Sequence, residues 1–158
     1  MTDARFEDGA ENALYLTAQD AEDLAVISAL MQDAVFPITE MVWNSKTRKF
    51  ALLLNRFRWE DREAAQKQGR TFERVRSVLS VADVAKVTSQ GIERGDKDVI
   101  LSALSITFQP GPDGTGRVVL TLAGDGAVAL DVECLDITLR DVTRPYLARS
   151  KQAPSHPA

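Results

Sequence analysis

The chain has 158 residues, of which 44% are hydrophobic and 27% charged, and its formal net charge is -4. This composition is typical of a globular domain, which excludes wholesale disorder. No apolar run approaches the roughly 18 residues that a membrane-spanning helix needs, and the acidic start of the chain is unlike a signal peptide. We therefore expect a cytoplasmic protein, and the single Cys134 fits a reducing compartment.

Both ends of the chain are polar and lack apolar periodicity. We predict flexible tails at residues 1–12 and 148–158. Between them no repeat and no linker divides the sequence, so residues 13–147 are predicted to form a single domain.

Charge is distributed unevenly along the chain. The segment from Lys46 to Arg76 contains ten basic and four acidic residues, whereas the remainder contains nine basic and nineteen acidic ones. Such asymmetry favours either an anionic partner or an acidic face of the same molecule folded against the basic segment.

The first elements are a short strand, Ala13–Leu16, and a helix. Thr17 and Asp20 offer a helix start of the capping type. Apolar residues then recur at spacings of three and four, which predicts one core-facing stripe: Leu24, Ile27, Leu30, Met31 and Val35. The helix is expected to end before Pro37.

Two β-rich runs follow, Val35–Trp43 and Arg48–Trp59, and the polar residues Asn44–Thr47 between them suit a hairpin turn. The charged stretch Glu60–Arg70 is interpreted as a mobile hairpin loop. It precedes a third strand, which runs from Thr71 to about Val87.

The second half of the sequence alternates β-rich runs with dense turn signals at residues 110–116 and 124–126. The predicted strands are Val99–Phe108, Arg117–Leu122 and Ala127–Val132. Residues 133–142 fit both a helix and a strand, and we predict a short helix that ends before Pro145.

Short connections between strands favour antiparallel pairing, because parallel pairs need longer crossovers. We predict an α+β fold: a mainly antiparallel curved sheet of six or seven strands with one N-terminal helix and one short C-terminal helix. A partial barrel is an alternative form of this sheet.

No catalytic or metal-binding constellation is recognisable in the sequence. His156, the only histidine, lies two residues from the C-terminus, where nothing would orient it. Cys134 has no histidine or second cysteine beside it and is expected to be a small buried hydrophobe. We predict no catalytic residue, no metal and no cofactor, and the sequence favours a protein that is not an enzyme.

Four arginines form the candidate site. Alternation along the strand places Leu52, Leu54, Arg56 and Arg58 on one face. A register that pairs Leu53 with Leu79 and Phe57 with Val75 matches apolar residues across the two strands. It also sets opposite one another the proposed anion-binding residues, namely Arg58 and Arg74, and Arg56 and Arg76.

Two interpretations of this cluster stay open. Carboxylates of the same chain could neutralise it, and the candidates are Asp131, Glu133, Asp136 and Asp141. Alternatively the arginines could bind a phosphate-bearing ligand or an acidic protein, since guanidinium groups suit carboxylates and phosphates alike. Nucleic acid is disfavoured because Phe57 and Trp59 are predicted to face away from the arginines.

Several runs resemble a bacterial family known as domain of unknown function 2948. They are residues 20–29, 32–35 and 41–43, and above all the string Asn55-Arg56-Phe57-Arg58-Trp59-Glu60. The resemblance extends from about Leu14 to Tyr146. It implies a small cytoplasmic single-domain protein without an assigned activity, and it places two of the four arginines inside the family motif.

Three functional hypotheses follow. The first is a non-enzymatic binding or regulatory module that presents the arginine face to an acidic protein or a phosphate-bearing ligand. The second is a structural subunit, a homodimer formed through a strand edge or an apolar patch. The third, ranked last, is an enzyme acting on a phosphorylated small molecule with carboxylates and arginines alone. No membrane partner is expected.

Overall fold

The computed structural model describes residues 13–69, 72–92, 95–144 and 146–147. In these ranges it contains eleven strands, two α-helices and three short 3-10 turns. The strands are β1 (Tyr15–Ala18), β2 (Val35–Pro37), β3 (Met41–Asn44), β4 (Lys49–Phe57), β5 (Glu73–Val81), β6 (Val84–Gln90), β7 (Ile100–Pro110), β8 (Gly116–Leu122), β9 (Ala127–Val132), β10 (Ile137–Asp141) and β11 (Tyr146–Leu147). The helices are α1 (Ala21–Met31) and α2 (Arg62–Gln68). The tails predicted at residues 1–12 and 148–158 lie outside the described residues, as do Arg70 and His156.

The strands form one strongly curved antiparallel sheet. Nine of them pair in the order β1-β10-β5-β4-β2-β7-β8-β9-β6, while β3 pairs with β4 and β11 with β5. The chain passes from β5 to β6, at the far end of this order, through only Ala82 and Asp83. The N–H of Val84 also donates to the carbonyl of Arg48, just before β4, at 2.8 Å. The sheet therefore curls on itself, although the pairing does not close it among the described residues.

This architecture confirms the α+β class and the antiparallel sheet. The prediction of six or seven strands was too low, because two predicted runs each contain two strands and because β10 and β11 were not predicted as strands. The run from Val35 is divided by a 3-10 turn at Ile38–Glu40. The run from Thr71 is divided at Asp83, whose φ of 56° lies in the left-handed region.

One hydrophobic core fills the inside of the curl. It is built from inward-facing strand residues such as Phe36, Leu52, Leu79, Ile106 and Leu120, all at most 1% exposed. Each contributes about 1.5–3 kcal/mol by leaving water.

Helix α1 covers one side of this core. Its N-cap is Asp20, whose carboxylate accepts the N–H of Asp23 at 2.8 Å, whereas Thr17 belongs to β1. Leu24, Ile27 and Met31 are buried, as the apolar stripe predicted. The helix ends at Met31, before Val35, because Asp33 adopts a left-handed φ of 66° that turns the chain into β2.

Two predicted elements were wrong. The stretch after Trp59 is not a hairpin loop: a 3-10 turn leads into α2, which ends at Gly69 in the left-handed conformation that glycine adopts without strain. The predicted C-terminal helix is instead β10, which pairs with both β1 and β5. Its alternating burial gives the strand interpretation that the sequence had left open.

Candidate functional site

The register between β4 and β5 differs from the predicted one by a single residue. Leu52, not Leu53, lies opposite Leu79, and Arg56 lies opposite Val75. A shift of one residue exchanges the faces of a strand. The four arginines therefore do not share one sheet face: Arg56 faces the core, while Arg76 faces outward opposite Asn55.

Arg56 is fully buried at the end of β4, and two carboxylates surround its guanidinium. Its Nη1 and Nη2 donate to Glu60 Oε1 and Oε2 at 2.9 and 2.8 Å, which forms a two-pronged ion pair. Nη2 also donates to Asp141 Oδ1 at 3.0 Å, and Nε donates to Ser77 Oγ at 3.0 Å. Such bidentate, charge-assisted bonds are the strong kind and fix both partners in place.

Asp141 links this arginine to β5 and to the residue that precedes β1. The carboxylate, at the end of β10, accepts the hydroxyl of Ser77 at 2.7 Å and the backbone N–H of Leu14 at 2.9 Å. The backbone N–H of Asp141 in turn donates to the carbonyl of Leu14 at 2.9 Å. We call the buried residues Arg56, Ser77 and Asp141, together with the partly exposed Glu60, the buried polar network. It joins β4, β5, β10 and the turn before α2.

Arg58 continues the network towards the surface. It is 5% exposed, and its guanidinium pairs with Glu73 at the start of β5 and lies 3.6 Å from the Asp61 carboxylate. Its backbone N–H donates to the carbonyl of Glu73 at 3.0 Å. Trp59 is fixed next to it, since its indole N–H donates to the carbonyl of Gln32 at 2.9 Å. The segment between β4 and α2 is thus held from both sides.

The electrostatics of the network are self-compensating. Burial acts to lower the pKa of Arg56, but the hydrogen bonds and negative charges of Glu60 and Asp141 outweigh it and raise that pKa above its usual value. Burial likewise acts to raise the pKa of Glu60, yet the hydrogen bonds and positive charge of Arg56 prevail and that pKa is lowered. Both groups are therefore charged at neutral pH.

Two of the four candidate carboxylates pair with other arginines. Asp131 accepts from Arg117 at 2.8 Å, and Glu133 pairs with Arg48. Both pairs are exposed, in contrast to the buried pair of Asp141. Carboxylates of the chain therefore neutralise both interior arginines, Arg56 and Arg58, and of the four predicted acids Asp141 takes part in this.

The remaining two arginines of the predicted cluster, Arg74 and Arg76, lie on the outer face of the sheet. Arg74 is half-buried and donates to Asn55 Oδ1 at 3.3 Å. Arg76 is exposed, and within the described ranges no carboxylate lies at ion-pair distance from its guanidinium. Asn55 and Arg76 line a depression of about 210 Å³ whose apolar walls include Val35, Pro37 and Ile100.

This outer face has features that the sequence did not indicate. Arg140 of β10, exposed like Arg76, lies opposite Val78, the next outward residue of β5 after Arg76. Tyr15, which is 65% exposed, lies opposite Arg140 on β1. We call the surface formed by Tyr15, Asn55, Arg76, Val78, Ile100 and Arg140 the outer basic face. The sequence does not indicate this face unless the register between β4, β5 and β10 is known.

Cys134 is exposed, which corrects the prediction that it is buried. It follows β9 in the turn before β10, and its thiol donates to the Asp83 carboxylate at 3.0 Å. This hydrogen bond, with smaller contributions from burial and nearby negative charge, raises the pKa of the Cys134 thiol. The arrangement opposes formation of the reactive thiolate.

The described residues contain neither a metal-binding cluster nor a membrane-spanning helix. No group of three or more histidine, cysteine or acidic side chains is placed to hold a metal ion. No helix in the described ranges has the length and apolar character needed to cross a bilayer.

Fold and site together define an α+β protein with an open, curled antiparallel sheet, a buried arginine–carboxylate network and an arginine-bearing outer face. The family model described as Protein of unknown function (DUF2948) matches residues 14–156, and the chain belongs to this family. No curated protein and no solved structure matches the chain. Glu60 and the two interior arginines fall within the string that carries the resemblance.

Proposed function

We propose that the protein is a non-enzymatic binding module that docks an acidic segment of a partner protein on the outer basic face. The observation that carries the proposal is the exposed guanidinium of Arg76, which has no carboxylate partner in the described part of the chain. The planar guanidinium group of arginine is preorganised for a carboxylate, so less conformational entropy is lost for each hydrogen bond formed than with lysine.

The surroundings of Arg76 fit a protein partner. Arg76 and Asn55 lie directly opposite each other on β5 and β4 and line the same depression. Arg74 donates to the side-chain oxygen of Asn55, which restricts the orientation of that amide. Exposed apolar area lies beside these polar groups, since Ile100 in the wall of the depression is 61% exposed. Arginine and tyrosine next to apolar area are enriched in protein interfaces.

A protein segment is favoured over a small phosphate-bearing ligand. The depression of about 210 Å³ is smaller than the usual 300–1,000 Å³ of small-molecule sites. It also contains Glu40, whose charge would oppose a doubly charged phosphate more than a single carboxylate. Arg140 and Tyr15 extend the same face along the sheet, which suits an extended chain.

The buried polar network has a supporting role in this proposal. Arg56 and Arg58 direct their guanidinium groups to Glu60, Asp141 and Glu73, so binding of an external anion to them would require breaking these pairs. The network instead fixes β5 against β4 and β10, the strands that carry the outer basic face. We place this function in the cytoplasm, as the sequence predicted.

The test uses a random peptide display library selected on the purified protein. We expect the enriched peptides to contain aspartate or glutamate beside apolar residues, and to shift the NMR amide signals of β4, β5 and β10. Arg76→Glu and Arg140→Glu should each weaken binding about tenfold, because each replaces attraction by repulsion. Binding of the unmodified protein should also weaken as salt is raised.

Lys86→Glu is the matched control, since Lys86 is an exposed basic strand residue on β6, away from this face. Equal weakening by Lys86→Glu, or enrichment of peptides without acidic residues, would contradict the proposal. Enhanced binding of phosphopeptides or inorganic phosphate at Arg76 would instead favour the phosphate-bearing ligand. Sedimentation at micromolar concentration tests the homodimer that the sequence left open.

A further inference from the structure

A second concave site lies where β3 and β4 face β6 and β9. We propose that this cavity binds a small molecule with an apolar body and a terminal carboxylate. The proposal concerns a different surface from the outer basic face and does not depend on the function proposed above.

The cavity follows from the incomplete closure of the sheet. β6 starts beside β4, where the N–H of Val84 reaches the carbonyl of Arg48, but its described pairing is with β9 alone. Among the described strands, β3 pairs with β4 alone. Beyond that starting point the two halves of the sheet separate, and the space between them is about 390 Å³. This volume falls within the usual range of small-molecule sites.

The inner wall of the cavity is apolar and aromatic. Burial alternates along β3, so Met41 and Trp43 turn inward while Val42 is 57% exposed on the other face. Phe50 of β4 and Val128 of β9 form the floor and are 3% and 2% exposed. Indole and phenyl rings provide large, rigid contact area for an apolar ligand.

The mouth of the cavity is polar and carries a positive charge. Thr39 and Ser89 supply hydroxyl groups, and Lys97 supplies an ammonium group. Lys97 is exposed, and its ammonium group is not in an ion pair with any described carboxylate. Of its two acidic neighbours in sequence, Asp96 is engaged by the backbone N–H of Asp98 at 3.0 Å, and neither lines the cavity. An apolar floor with a cation at the rim matches an amphipathic carboxylate.

Decanoate is a suitable probe, and decanol is its uncharged counterpart. We expect decanoate to bind saturably at submillimolar to millimolar concentration and to shift the NMR amide signals of β3, β6 and β9. Decanol should bind about tenfold more weakly, because it cannot form the charge-assisted bond with Lys97. Lys97→Met should reduce decanoate binding to the level of decanol and leave decanol binding unchanged.

Two further variants make the test specific. Val87→Phe fills the cavity from β6 and should abolish binding of both probes, with circular dichroism used to confirm folding. Lys86→Met removes a lysine that lies next to Val87 on β6 but does not line the cavity. It should leave decanoate binding unchanged. The proposal is overturned if decanoate does not saturate, if its shifts map outside these strands, or if Lys97→Met and Lys86→Met have the same effect.

Discussion

Arg56 and Asp141 are 85 residues apart in the chain and form an ion pair of 3.0 Å in the protein interior. The arginine side chain is fully buried and the aspartate side chain is 3% exposed. Removal of such a pair from water costs free energy that only their mutual attraction and further hydrogen bonds offset. Substitution of one partner alone should therefore destabilise the protein strongly, because the other partner is left as a buried charge without compensation.

Asp141→Asn should lower the free energy of unfolding by about 3–5 kcal/mol, because it removes a charge that compensates buried Arg56 but keeps the shape of the side chain. The measurement is urea unfolding followed by circular dichroism. Asp131→Asn is the matched control, since it removes a carboxylate from the exposed pair with Arg117 and should change stability little. Equal effects of the two substitutions would show that Asp141 does not stabilise the interior charge.

Arg56→Met combined with Asp141→Asn should be less destabilising than the sum of the two single substitutions. Each single change leaves a buried group without its partner, whereas the double change removes both members of the pair. We expect a coupling free energy of about 1–3 kcal/mol from the four unfolding curves. Strict additivity would mean that the two groups do not interact energetically, despite the hydrogen bonds between them.

Local patterns in the sequence were sufficient to predict several elements. Three-and-four spacing predicted the buried stripe of α1, and the polar residues after β3 predicted the turn in which Asn44 Oδ1 accepts the N–H of Lys46 at 3.1 Å. Alternation correctly placed Leu52, Leu54 and Arg56 on one face of β4. These features depend on neighbouring residues alone, which is why they can be read from one sequence.

The candidate site could not be predicted because it depends on register. Three consecutive leucines, Leu52 to Leu54, are apolar on both faces and do not show which face is the core. The connection to β5 contains α2, so no tight turn fixes the pairing. Asp141 reaches Arg56 only because β10 is a strand beside β5, and the sequence of that segment fits a helix equally well.

Acid should destabilise the protein partly through Glu60. Because folding lowers the pKa of Glu60, the unfolded chain binds its proton at higher pH than the folded one. The stabilisation is therefore complete above the ordinary glutamate pKa of about 4.3 and is lost as pH falls through the lower pKa of the folded state. Glu60→Gln should lower stability at pH 7, and the difference from the unmodified protein should shrink towards pH 3.

Urea unfolding at a series of pH values between 7 and 3 would measure this difference. Glu133→Gln provides the comparison, since it removes a carboxylate from an exposed ion pair with Arg48. A stability difference for Glu60→Gln that stays constant over the whole range would contradict a role for its charge.

The thiol of Cys134 should react slowly with alkylating reagents for an exposed cysteine. Its hydrogen bond to the Asp83 carboxylate raises its pKa, so less thiolate is present at pH 8 than in an isolated cysteine.

Asp83→Asn removes the negative charge and still tolerates the left-handed φ of 56° at this position. We expect this substitution to increase the rate of reaction with iodoacetamide at pH 8 severalfold and to move the midpoint of the pH–rate profile to lower pH. Asp125→Asn is the matched control, because Asp125 also occupies a turn with positive φ but does not contribute to the shift in the pKa of the thiol. Equal reaction rates of Asp83→Asn and Asp125→Asn would show that the carboxylate of Asp83 does not affect the reactivity of the thiol. The exposure of Cys134 would then account for its reactivity without any effect of charge.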